Sequence, residues 1–133
     1  TTGNVLSVKG LSSGTSYKLY VQAYKKSGTG YVYGATVNLT SSTNPAKVSL
    51  SVASGTRKAT LKWTKTTGAN GYIAYYKTSA DGAWTRMTKT TARSYTKTGL
   101  TSGKTYYFCV RAYRIQDGKV YYGGLTTKTV TIG

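Results

Sequence analysis

The sequence predicts an all-β chain: a two-sheet β-sandwich of seven strands, preceded by the C-terminal half of another copy of the same unit. Three observations carry this prediction. Short runs rich in Val, Thr and Tyr are separated by Gly and Ser, with one Pro, at Pro45, and no convincing helical period. Apolar and polar residues alternate within those runs, the period of half-buried strands. The chain also repeats itself. Gly10-Leu11-Ser12-Ser13-Gly14-Thr15-Ser16-Tyr17 returns as Gly99-Leu100-Thr101-Ser102-Gly103-Lys104-Thr105-Tyr106, an ungapped offset of 89 positions (100 − 11) that still holds at Tyr33-Gly34 and Tyr122-Gly123. A period this long is a whole small domain rather than a solenoid unit. Counting back from the first copy, the chain opens partway through a unit. The expected division is therefore residues 1–41 and 42–133, one and a half modules of a longer multidomain protein.

The elements follow in order. Residues 1–41 read as the last three strands of a module, with Tyr17, Leu19, Val21 and Ala23 turned inward. Thr40-Ser41-Ser42-Thr43-Asn44 is polar and reads as a short linker with limited flexing, and Pro45 opens the next module. Val48, Leu50 and Val52 alternate with Ser, as do Ala59, Leu61 and Trp63 with Thr and Lys, giving two strands around Gly55. Tyr72, Ala74 and Tyr76 form the inward side of a third strand. Asp81-Gly82 marks a hairpin, and Trp84 begins a fourth strand running to about Lys89. Ser94 to Thr98 is the fifth. Tyr106, Phe108, Val110 and Ala112 are the inward side of the sixth, and Leu125 to Ile132 closes the domain after a loop from Ile115 to Gly123. Tyr106 follows Leu100-x-x-Gly103. A sandwich Tyr there hydrogen-bonds its hydroxyl back to the chain at the corner between sheets, and Tyr17 repeats the position.

Leu61-x-Trp63, Gly71-Tyr72-x-Ala74-x-Tyr76, Gly99-Leu100-x-x-Gly103-x-x-Tyr106 and Val110-x-Ala112-Tyr113 together resemble a fibronectin type III domain. The likeness is to the bacterial branch found in secreted and wall-attached proteins of Gram-positive species. It covers about residues 45–133 in full; residues 1–41 resemble only strands E, F and G. The resemblance implies an immunoglobulin-like sandwich with strand order A-B-E on one sheet and C′-C-F-G on the other. It implies no activity, because a fold this common hosts many roles. Trp63 is expected as a structural residue of the core.

Composition narrows the function. With no His, one Cys (Cys109) and two acids (Asp81 and Asp117), the chain lacks the residues for a Ser-His or Cys-His nucleophile, a carboxylate pair, a cysteine-based metal cluster or a calcium site. Each Asp precedes a Gly and reads as a turn residue. The sequence therefore predicts no enzyme and no cofactor. Cys109 reads as a partly covered small apolar side chain. No apolar run is long enough to span a bilayer, so no membrane insertion is expected.

Nineteen Lys and Arg against two acids give a formal net charge of +17. Such an excess attracts a polyanion, and it also keeps strand edges soluble. Strand alternation places Ile73, Tyr75, Tyr107, Arg111 and Tyr113 on the outer face of neighbouring strands C and F, a possible interaction face for sugar rings or a protein. A second candidate is the F–G loop, with Arg114, Lys119 and Tyr121-Tyr122. The expected role is a non-catalytic extracellular spacer or adhesion module of a bacterial surface or secreted protein, with neighbouring modules of the same chain as partners. Two alternatives stay open. One is a binding module for acidic glycans or cell-wall polymers. The other is self-association, in which another chain's strands complete the half module. Nucleic acid ranks last among the partners, since basic charge alone is weak evidence.

Overall fold

The computed structural model describes residues 3–133; Thr1 and Thr2, part of the unit read as 1–41, lie outside the described residues. Among the described residues there are ten strands: β1 (Ser16–Ser27), β2 (Gly30–Ser42), β3 (Leu50–Gly55), β4 (Lys58–Trp63), β5 (Gly71–Lys77), β6 (Thr85–Thr90), β7 (Ser94–Thr98), β8 (Thr105–Gln116), β9 (Lys119–Tyr122) and β10 (Thr126–Thr131). All pairings are antiparallel. β3-β4-β7 form one sheet, and β6-β5-β8-β10 form the other, with β9 also on β8. β1 and β2 form a separate two-stranded ribbon.

Between the two sheets lies one core. Leu61, Phe108 and Val110 are its most deeply buried large side chains, joined by Trp63, Tyr72, Leu100, Tyr106 and Ile132. The alternation read from the sequence explains this: on β8, Tyr106, Phe108, Val110 and Ala112 face the opposite sheet. Trp63 packs edge-on against Tyr72, with ring centroids 5.9 Å apart. Thr66 N–H donates to the Tyr72 hydroxyl at 3.0 Å, so that buried phenol is satisfied. At the corner before β8, Thr101 N–H donates to the Tyr106 hydroxyl at 3.1 Å. At the corresponding corner before β1, Ser12 N–H donates to the Tyr17 hydroxyl at 2.8 Å.

The structure corrects the sequence reading at four places. Residues 42–133 hold eight strands rather than seven, because most of the expected F–G loop is a hairpin. Asp117 and Gly118 both have positive φ (51° and 74°), the pair a tight two-residue turn requires. That turn folds β9 onto the end of β8, with Ile115 opposite Val120 and Tyr113 opposite Tyr122. Asp81-Gly82, in contrast, lies within a longer connection between β5 and β6.

In residues 1–41, two strands are found among the described residues instead of E, F and G. β1 has the bounds of β8 displaced by 89 positions (105 − 16 and 116 − 27), and β2 covers the ground of β9 and β10. The counterpart of β7, around Val5 to Lys9, forms no strand, and among the described residues no neighbour equivalent to β4 lies beside it; Val5 is 83% exposed. The intended inward face of the ribbon is accordingly open. Leu19 is half-buried and Val21 is 69% exposed, whereas their counterparts Phe108 and Val110 are fully buried.

The expected linker is also part of the folded structure. β2 runs to Ser42, across the expected boundary. Thr43 N–H then donates to the Thr15 carbonyl at 3.0 Å, and Gly14 N–H to the Asn44 carbonyl at 2.9 Å.

Candidate functional site

The outer face of the larger sheet brings together all five residues of the sequence-predicted interaction face. β5 and β8 are neighbours in a register that sets Ile73 beside Arg111, Tyr75 beside Cys109, Lys77 beside Tyr107 and Gly71 beside Tyr113. Side chains paired across an antiparallel ladder share a face. None of the five is fully exposed, which corrects the expectation: Tyr75, Tyr107 and Arg111 are half-buried, and Ile73 and Tyr113 are buried. Ile73 (5% exposed) lies in register between Lys89 on β6 and Arg111 on β8, whose long stems flank it. Tyr113 (8% exposed) lies across Gly71: a Cβ there would come within 2.6 Å of the Tyr113 hydroxyl. Cys109, expected to be partly covered, is wholly buried, and burial pushes its thiol up to about 11. It is therefore neutral and unreactive at ordinary pH.

The accessible surface of this face is an array of cations lying on aromatic rings. The Arg111 guanidinium sits 4.0 Å from the Tyr122 ring centre and 5.7 Å from that of Tyr75, and its Nη2 donates to the Tyr75 hydroxyl at 3.2 Å. Lys77 Nζ lies 4.7 Å from the Trp84 ring and 5.5 Å from the Tyr107 ring. Lys89 Nζ lies 4.6 Å from the Tyr113 ring. These separations are within cation–π range. Trp84 and Tyr122 were not singled out for this face from the sequence. Trp84 reaches it from the β5–β6 connection, and Tyr122 only because β9 forms.

Among the described residues, no group of three or more His, Cys, Asp or Glu side chains could hold a metal ion, and no helix is long and apolar enough to cross a membrane. The family model for the fibronectin type III domain matches residues 43–121, more than half of the sequence. The chain belongs to the fibronectin type III family. The solved structures agree on the fold. The chain is similar to FN3tt (TM-score 0.55, 23% identity, covering 68% of this chain and 96% of that one). It is also similar to domains d3–d4 of the rat CD45 extracellular region (TM-score 0.59, 19% identity, covering 97% of this chain and 70% of that one). No curated protein sequence matches it.

A second cluster, at the joint between the ribbon and the fibronectin type III module, was not legible as a unit. Arg114 on β8 donates from Nε to the Ser42 hydroxyl at 2.9 Å, from Nη1 to the Gly68 carbonyl at 2.9 Å and from Nη2 to the Ser16 hydroxyl at 3.0 Å. Ser16 in turn donates to Gln116 Oε1 at 2.8 Å. Beside this network the backbones at Gly14 and Gly68 meet. A Cβ on Gly68 would fall 2.0 Å from the Gly14 carbonyl oxygen, and one on Gly14 would fall 2.5 Å from that of Thr67. Both glycines have positive φ as well (61° and 74°), so glycine serves the turn and the close approach together. Arg114 stood in the sequence as a loop cation; its role is set by β1, β2 and the loop before β5.

Proposed function

We propose that this chain is a non-catalytic, extracellular spacer or adhesion module of a larger bacterial surface or secreted protein. In this reading residues 1–41 are the C-terminal half of one copy in a tandem array and 42–133 are the next. The observation that carries it is the joint. A single guanidinium of the second unit, Arg114, bonds Ser16 of the first unit, Ser42 at the boundary and a loop of its own unit (Gly68), beside backbones of the two units that only glycine lets meet. Hydrogen bonds from a charged, planar five-donor group restrain orientation more tightly than a polar linker does. A spacer needs that property, because it must hold a partner domain at a fixed distance and angle. The shared 89-residue offset of β1 and β8 supports the tandem reading. The family and the likeness to an extracellular region support the location.

The test places spin labels at Thr29→Cys, in the ribbon tip, and Thr56→Cys, in the β3–β4 turn; buried Cys109 leaves the labelling selective. The expected result is one narrow distance distribution that broadens in Arg114→Met. A wild-type distribution as broad as the variant's would overturn the reading.

A strand-sharing assembly is a second reading, favoured by the open ribbon face, where Val21, Val37 and Leu39 are each at least 60% exposed. It predicts a sedimenting particle heavier than one chain; a monomer at all concentrations contradicts it.

A further inference from the structure

A cleft of about 200 Å³ opens on the outer face of the larger sheet, lined by Tyr75, Trp84, Cys109, Arg111 and Leu125. Its floor is the buried, neutral thiol of Cys109. Aromatic rings (Tyr75, Trp84) and the Leu125 side chain supply apolar surface. The one charged group in the lining is Arg111, whose only hydrogen bond to a described residue is the 3.2 Å contact from Nη2 to the Tyr75 hydroxyl. Arg111 Nε is buried without a partner. This is the make-up of a ligand site: apolar and aromatic surface with a small number of placed polar donors.

The electrostatics select the ligand. Lys77 lies over Trp84 at the cleft's edge, Arg86 pairs in register with Tyr75, and Lys89 lies over Tyr113. The nearest carboxylate in sequence is exposed Asp81, in the turn before Trp84; Asp117 is at the far turn of β8 and β9. Two acids cannot neutralise nineteen cations, and a concave surface of one sign focuses its field on an approaching counter-ion. A guanidinium with free N–H groups fits a planar carboxylate in bidentate fashion.

We propose that this cleft binds a carboxylated sugar residue of an acidic polysaccharide. The sugar ring packs on Trp84 and Tyr75, the carboxylate pairs with Arg111, and Lys77 and Lys89 lie along the continuing chain. The proposal goes beyond the spacer reading and does not depend on the joint, so either can fail without the other.

The test is titration of the full chain with oligogalacturonate at low and moderate salt, following tryptophan emission. Trp63 is buried in the core, so a change reports Trp84. The expected result is saturable, salt-weakened binding that changes Trp84 emission, with dextran of similar size giving none. Arg111→Gln is expected to weaken it at least tenfold, and Lys62→Gln, exposed on β4 of the opposite sheet, less than twofold. Near-UV circular dichroism checks that both variants fold; if Arg111→Gln does not, Trp84→Ala is expected to give the same loss. Equal weakening by Arg111→Gln and Lys62→Gln, equal binding of single-stranded DNA unaffected by Arg111→Gln, or no binding at millimolar sugar would each overturn the proposal.

Discussion

Replacing Gly71 with Ala tests how the outer face is packed. The added methyl would sit 2.6 Å from the Tyr113 hydroxyl, 2.8 Å from its ring Cε1 and 2.9 Å from the Thr90 carbonyl oxygen. The first two contacts are relieved if the ring swings away, but the third is to backbone of the paired strand β6 and yields only if the ladder shifts. Overpacking of this kind costs roughly 1–3 kcal/mol. Displacing Tyr113 also removes its contact with Lys89, worth about 0.5–1 kcal/mol at a partly exposed site. The expected destabilisation is therefore on the order of 2–3 kcal/mol, read as a lower urea midpoint with unchanged slope. Tyr113→Ala alone is expected to destabilise, since it uncovers Gly71 and Ile73. In the double variant the two effects should sum to less than their total, because the methyl then occupies space the ring has left. A neutral Gly71→Ala, or strict additivity in the double variant, would show that Tyr113 does not lie across Gly71.

Two further outcomes follow from the core and its corners. Tyr106→Phe removes the acceptor for Thr101 N–H at a part-buried corner and is expected to lower stability by about 1 kcal/mol, whereas Tyr17→Phe, at the exposed corner, should change it much less; urea unfolding of both variants checks this. Cys109 should resist alkylation in the native state, and its pH linkage has a definite sign. Its folded pKa, about 11, lies above the ordinary value of 9.0, so its contribution is present below pH 9 and is lost as pH rises from 9 through 11. Cys109→Ala should therefore flatten the fall of stability in that window; an identical slope in the two proteins would contradict the buried thiol.

The strands of 42–133 were legible because alternation and turn chemistry agree along most of the chain. Val48, Leu50 and Val52, like Ala59, Leu61 and Trp63, declare one face by residue type alone, because Ser, Thr and Lys fall between them. Alternation assigns a side of the sheet but not what lies above it. Ile73 and Tyr113 lie on the outer face but are buried there, since neighbouring long side chains and Gly71 decide their cover. The β8–β9 hairpin was missed although Asp117-Gly118 is a hairpin signal, because a turn pair does not tell how far the strands close up beyond it. The joint was hidden for a different reason. The partners of Arg114 at Ser16, Ser42 and Gly68 lie 98, 72 and 46 positions away, and no local pattern links them. The available trace was the small polar or glycine residue at each contact point.

The most direct measurement of the account is a set of backbone residual dipolar couplings from the ribbon (16–42) and the module (45–133) in one aligned sample. If the Arg114 joint fixes the two units as one body, a single alignment tensor fits both sets in the orientation described, and Arg114→Met splits it into two tensors. Two tensors of different magnitude in the wild-type protein would contradict the claim that this fibronectin type III chain carries orientation from one unit to the next.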